Sequence, residues 1–276
     1  MLEEGTKPEY LYVDSVAACS LMIRREVIEK IGFMPEENFL YWDDTEWCYL
    51  CNQAGYKVAS VGNSKALHAM GAKKEAVNTF PTYYAWRNWI TFFLKFTPDE
   101  DLEQMADTFL SSVFQENYEG LYNGEKNRAK TVMLALDDAI HGVMGKAGEN
   151  RIFELDFNLE GYRDLFHRSE KFYIEENGHA PLANRIRNVA EALGVRVIWL
   201  DAQEKDAVTI SLCESIFEVE DMTLEKVYID ISDCIFATED DMLNVINYNY
   251  SKRSFLFMMK PVFLENAKKL RKKWNL

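Results

Sequence analysis

The sequence lacks any apolar run approaching the ~20 residues of a membrane span. Its first ten residues, MLEEGTKPEY, are acidic and polar, unlike a secretory signal. Basic residues are outnumbered, 31 against 45 acidic, for a net charge of −14. So acidic a chain repels phosphate backbones, which argues against a general nucleic-acid binder. Cysteine is sparse and odd in number: Cys19, Cys48, Cys51, Cys213 and Cys234. These five are scattered through apolar segments, which suits buried reduced thiols and a cytoplasmic setting rather than a disulfide framework. Cys48-x-x-Cys51 has a redox or zinc spacing, but it has no second pair and falls in a helical stretch, so packing is its expected role. No Gly-x-Gly-x-x-Gly pattern is present.

What is present is a globular composition. Hydrophobic residues make up 48% and charged residues 28% of 276, enough for a packed core in one large or two modest domains. Leu11 to Ile23 is a nearly continuous apolar run, read as a buried strand. Arg24 to Ile31 reads as a short helix ended by Gly32. After a polar link at 72–80, Pro81 opens an aromatic-rich helix, Thr82 to Phe96, expected to cover a sheet rather than lie on a membrane surface, since it carries only Arg87 and Lys95 as basic residues. Residues 99–117 and 124–144 read as two amphipathic helices. In the second, Asp137, Asp138 and His141 share one turn. A solvated face is expected there, because a further metal ligand is missing.

Beyond about 149 the pattern predicts short buried strands at 171–174, 195–199, 208–212, 227–231 and 255–258. Helices are predicted at 182–193, 240–248 and 261–274, which together imply a small parallel α/β domain. The turn Glu175–Pro181 lies where such folds hold ligands, but its two Glu residues oppose phosphate. The basic run Lys268–Lys273 either complements its helix C-terminus, the expected role, or touches anionic lipid at a membrane face.

The stretch 39–71, FLYWDDTEWCYLCNQAGYKVASVGNSKALHAMG, carries the chemistry. Asp43 and Asp44 follow the aromatics Phe39, Tyr41 and Trp42. Thr45 to Asn52 reads as helix, Gly55 suits its C-cap, and Lys57 to Val61 alternates like a strand. Two adjacent carboxylates in an aromatic setting repel each other and lose solvation, which makes one a usable proton acceptor. The imidazole of His68 could ligand a divalent metal or hold a phosphate. An Asp pair ahead of a helix also serves as an N-cap and first-turn charge, and that reading competes.

The spaced elements resemble the C-terminal half of the catalytic domain of glycosyltransferase family 2, the inverting enzymes of GT-A fold. They run from Val13 through Ala18 to Arg24-Arg25-Glu-Val, then Ile31-Gly32-Phe33, Phe39-Leu-Tyr-Trp-Asp43-Asp44, Ala54-Gly55-Tyr56 and His68. The Trp42-Asp43-Asp44 form is most like the galactofuranosyltransferase and rhamnosyltransferase branch. Arg87-Asn88 and Gly142-Val-Met-Gly145-Lys146 extend the likeness. The resemblance implies that Asp44, with Asp43 beside it, is the base that deprotonates an acceptor hydroxyl. It further implies that Tyr41 and Trp42 contact the acceptor, and that His68 ligands the Mg²⁺ or Mn²⁺ on a nucleotide-sugar. Ala18 in place of the usual Gly, Pro35 in place of an acid and Leu50 in place of an Arg depart from the pattern. The nucleotide-binding half, with its Asp-x-Asp motif, would precede this chain.

The expected organisation is an acceptor-side GT-A half at 1–97, a helical extension at 98–148 and a small Rossmann-like α/β domain at 149–276. The expected function is transfer of a sugar from a nucleotide-sugar to a glycan acceptor in surface polysaccharide synthesis. The enzyme would be inactive without a partner nucleotide-binding half and would sit in the cytoplasm or peripherally at the inner membrane face. The alternative is a non-catalytic binding or assembly protein derived from a truncated transferase.

Overall fold

The structure is a computed structural model that describes residues 9–68, 78–155 and 158–275. The link at 72–80 lies mostly outside the described residues. Its contacts divide the chain into two compact units, one of residues 1–106, 131–155 and 262–276, the other of 107–130 and 156–261.

The first unit opens with a two-stranded antiparallel sheet. Strand β1 (Tyr10–Tyr12) pairs with β2 (Ala59–Val61), Leu11 opposite Ser60. The buried strand expected over Leu11–Ile23 is not formed. The chain leaves the ladder after Tyr12, turns through a 3₁₀ segment at Ala18–Ser20, and leaves Met22 96% exposed. A continuous apolar run becomes a buried strand only where neighbours cover it, and among the described residues β1 pairs with β2 alone. Between the strands lie α1 (Arg25–Ile31) and α2 (Asp43–Gln53). Gly32, at φ 84°, ends α1 in a conformation that a side chain would resist.

The core of this unit is α3 (Phe80–Phe96), with Pro81 in its first turn, where the missing N–H costs nothing. Tyr83, Tyr84, Ile90 and Leu94 are fully buried, so the aromatics serve the interior. Helix α5 (Lys126–Ile140) packs its Ala135 against Tyr83 and Tyr84. Arg271 donates to Leu94 O and Thr97 O, the unpaired carbonyls at the end of α3. The basic run at the chain's end thus serves in part as a cap for another helix.

The second unit is a five-stranded sheet in the order β4-β3-β5-β6-β7. Strands β3 (Lys171–Glu175), β4 (Ile198–Leu200), β5 (Val208–Cys213) and β6 (Val227–Asp230) are parallel. The edge strand β7 (Ile235–Phe236) is antiparallel to β6, so the sheet is mixed rather than parallel throughout. Alternate strand residues face opposite sides. Phe172, Ile174, Ile210, Leu212, Val227 and Ile229 pack with α6 (Glu160–Phe166) and α7 (Ala180–Ala192). Tyr228 and Phe236 pack on the other face with Phe114 of α4 (Leu102–Tyr122) and Tyr248 of α8 (Glu239–Lys273).

Helix α8 corrects one expectation. The strand expected at 255–258 is helical, and one 35-residue helix replaces the two expected on either side. A four-residue apolar run does not distinguish strand from helix by periodicity alone. Here the flanking helical pattern prevails, and Pro261 is tolerated within the helix although it lacks the N–H that would bond one turn back. Thr238 and Asp241 start α8 with reciprocal capping. Asp241 Oδ2 accepts from the Ala237 and Thr238 N–H groups, and Thr238 Oγ1 accepts from Asp241 N–H.

Candidate active site

The candidate site grows from the five-residue loop Asn38–Trp42. Three of its residues, Phe39, Tyr41 and Trp42, have φ of 65°, 62° and 66°. Each non-glycine residue in the left-handed region costs roughly 1–3 kcal/mol, so the loop persists only because its surroundings fix it. Those surroundings are Arg87 and Asn88, both buried in the middle of α3. Asn88 Nδ2 donates to Asn38 O at 2.8 Å, Leu40 O at 2.7 Å and Tyr41 O at 3.0 Å. Arg87 donates through Nη2 to Asn38 O at 3.0 Å, through Nη1 to Gly145 O at 2.8 Å, and through Nε to Asn88 Oδ1 at 2.9 Å. Its guanidinium also lies 5.3 Å from the Tyr83 ring centre and 5.0 Å from that of Tyr84.

A second tie fixes the base of the loop. The buried Glu46 carboxylate accepts from Asn38 Nδ2 at 3.0 Å and from Lys95 Nζ at 2.6 Å. Aromatic contacts complete the frame. Phe39 stacks on Tyr84 at 5.1 Å between ring centres, and Trp42 packs on Phe92 at 5.4 Å and Trp89 at 6.5 Å. Trp42 is therefore half-buried against α3, whereas Tyr41 is exposed.

This frame presents Asp43 and Asp44 in the first turn of α2, where the helix N-terminus favours negative charge. Trp42 occupies the N-cap position and makes no side-chain cap bond. The two carboxylates differ. Asp44 Oδ2 accepts from Ala18 N–H at 3.0 Å, and its Oδ1 accepts from Thr45 N–H at 2.8 Å. It thereby ties α2 to the small-residue turn 26 positions earlier. Oδ1 also accepts from Thr45 Oγ1 at 3.4 Å, whereas Oδ2 keeps a second lone pair, so Asp44 is oriented and still able to accept a proton at Oδ2. Asp43 takes no hydrogen bond among the described residues and is half-buried.

His68 is exposed in the coil after β2, and no hydrogen bond or ion pair among the described residues joins it to either Asp. No group of three or more His, Cys, Asp or Glu among the described residues is placed to hold a metal ion. One exposed imidazole does not make a site for Mg²⁺ or Mn²⁺, which need several oxygen ligands, so the described residues do not fit that metal by themselves. An open groove of about 760 Å³ in the same unit is lined by Tyr10, Val27, Trp47, Cys48, Cys51 and Tyr56 among others, but not by Asp43, Asp44 or His68. Cys48 and Cys51 are buried, and burial pushes both thiols up, away from the reactive thiolate.

The Asp137–Asp138–His141 turn is the solvated face expected at Asp137 and His141, which are exposed, but not at Asp138. Asp138 is buried and accepts from Tyr83 Oη at 2.5 Å and from Arg151 at 2.7 and 3.1 Å. Burial raises its carboxyl, and the bonds from Arg151 and Tyr83 outweigh burial and hold it below the usual carboxylate range. Burial, with the same bond, pushes the Tyr83 hydroxyl up to about 12. Sequence reasoning misses Asn38 and Glu46 and meets Lys95 only as a basic residue of the aromatic helix; the signal within that helix is its polar residues, Arg87, Asn88, Thr91 and Lys95.

Fold and site define a mixed α/β protein that presents an oriented carboxylate pair at a helix start beside an aromatic wall. Part of the chain is similar to a sugar transferase. Over 71 residues, 25% of its length, it is 42% identical to the dTDP-rhamnosyl transferase RfbF of Shigella flexneri. The matched stretch spans 23% of that relative, about a quarter, so the likeness is local. No family model and no solved structure matches.

Proposed function

We propose that the first unit supplies the acceptor side of an inverting family-2-like sugar transferase, with Asp44 as general base. The observation that carries this is the Asp43–Asp44 pair held at the head of α2 by a strained loop and a buried Arg–Asn clamp. A structural cap would need neither the strained loop nor the bond from Asp44 to the distant Ala18 turn. The local identity to a rhamnosyltransferase supports the same reading. In it, Asp44 takes the proton of an acceptor sugar hydroxyl. The hydroxyl oxygen then forms a bond to the anomeric carbon of the donor as the bond from that carbon to the nucleoside diphosphate breaks. Tyr41, exposed beside the pair, and Trp42, braced on α3, would position the acceptor ring. The donor-binding portion is supplied from outside the described residues, and a deoxythymidine-diphosphate sugar is the first donor to try. His68 remains a candidate ligand toward that portion.

The test measures initial sugar-transfer rates with the donor-binding portion provided. Asp44→Asn keeps the shape and removes the proton acceptor, and transfer should fall by ~10²–10⁴. Asp43→Asn should be milder, because Asp44 keeps its orientation. Near-normal turnover in Asp44→Asn, or greater damage from Asp43→Asn, would assign the base elsewhere. A stable protein that binds glycan but shows no transfer in any combination would favour a binding or assembly role.

A further inference from the structure

Helix α8 buries one face and leaves an apolar stripe on the other. Tyr248, Val245, Met242 and Phe255 face the core of the second unit. On the opposite face Leu243 is 61% exposed, Ile246 53%, Tyr250 67% and Phe257 83%. Their spacing of three, four and seven residues places them on one line along the helix. Large apolar side chains aligned in this way mark an interaction surface rather than the scattered exposure normal for a protein surface.

The charges at the ends of this line say what covers it. Asp240 lies one turn before Leu243, and Arg253 lies one turn after Tyr250. Both are exposed, and neither forms an ion pair among the described residues. Acid, three apolar residues and base therefore follow one another along the exposed side of the helix, Asp240 at one flank of the apolar line and Arg253 at the other. Reversed, that order complements itself. When two such helices lie antiparallel, Asp240 of one copy faces Arg253 of the other, Leu243 faces Tyr250, and Ile246 lies at the axis. Self-complementarity of this kind is the signature of a two-fold, isologous contact. An anionic membrane is a poor competitor for a chain of net charge −14 whose stripe begins in the acidic turn Glu239–Asp241.

We propose that the second unit associates with a second copy of itself through antiparallel pairing of α8, with a two-fold axis beside Ile246 and Asn247. One helix stripe falls below the ~800 Å² per partner of a stable dimer, so the association is weak.

The test is sedimentation equilibrium of the full chain between roughly 1 and 200 µM at low salt. A monomer–dimer equilibrium is expected. Tyr250→Glu should abolish it. Asp240→Arg or Arg253→Asp alone should weaken it about ten-fold, since each reversal puts two like-charge contacts into the symmetric dimer. Combining the two reversals should restore it. The charge-reversal series stays informative if Tyr250→Glu proves unfolded by circular dichroism. A chain that is monomeric throughout, a double reversal that does not restore association, or a monomer that binds phosphatidylcholine vesicles through Tyr250 would each overturn the proposal.

Discussion

Asn88 and Arg87 show how much of a site can rest on two side chains that need not touch substrate. One amide nitrogen serves three carbonyls of a loop whose backbone is strained at three positions. Asn88→Ala leaves Leu40 O and Tyr41 O without their donor and Asn38 O with Arg87 alone, and each unsatisfied group costs roughly 1–3 kcal/mol. We expect a loss of about 2–4 kcal/mol in urea unfolding, together with loss of transfer activity beyond what stability explains. The pair was legible in the sequence as part of the family resemblance, but its partners were not, because carbonyl oxygens leave no mark in a sequence. Asp138 makes the converse point. Its neighbours Asp137 and His141 suggested a wet face, yet one turn of helix carries both exposed and buried positions, and Arg151 thirteen residues on decides which is which. Its carboxyl is held below the usual range, so the unfolded state binds more protons as pH falls toward ~4. Stability from Asp138 is therefore present above about pH 4 and lost as pH falls through its lowered value. Asp138→Asn should flatten that acid limb in a pH series of urea midpoints.

At the scale of elements, the sequence was readable where the local signal and the tertiary setting agree. Helices α1, α2, α3 and α7 and strands β3, β5 and β6 lie close to where periodicity, Pro81, Gly32 and β-branched runs place them, β4 is displaced toward the C-terminus of its expected run, and the edge strand β7 has no counterpart in that reading. It misled where a pattern depends on neighbours. The Leu11–Ile23 run has the composition of a buried strand, and the cover that would make it one is not among the described residues. The Phe255–Met258 run has strand-like residues inside a long helix. In α8 the decisive signal was instead the Thr238–Asp241 capping pair, which starts a helix that then runs through Pro261. Asp241 also accepts from Tyr122 Oη at 3.1 Å. Asp241→Ala should cost about 1–2 kcal/mol through the cap. A Thr238→Ser variant, which keeps the hydroxyl, should stay near wild type in thermal melts.

At the scale of the whole chain, acidity bounds the function most firmly. The proposed reaction uses a donor whose diphosphate is anionic, and the chain carries 45 acidic against 31 basic residues. Among the described residues no metal-holding cluster offsets that repulsion, and the Asp43–Asp44 pair adds to it. On the proposed reading, donor affinity comes from positive charge, metal ligands or backbone N–H groups contributed by another portion. The 276 residues alone should therefore give no binding heat with deoxythymidine-diphosphate sugars at micromolar concentration, with or without Mn²⁺. An isolated glycan acceptor, being neutral and able to stack on Tyr41 and Trp42, is under no such penalty and should perturb Trp42 fluorescence at millimolar concentration. Micromolar binding of the nucleotide-sugar by this chain would mean that a donor site lies within it, and the assignment of the first unit to the acceptor side would fall. Donor binding that appears only when a second portion is added, and that survives Asp44→Asn, is the outcome the division of labour requires.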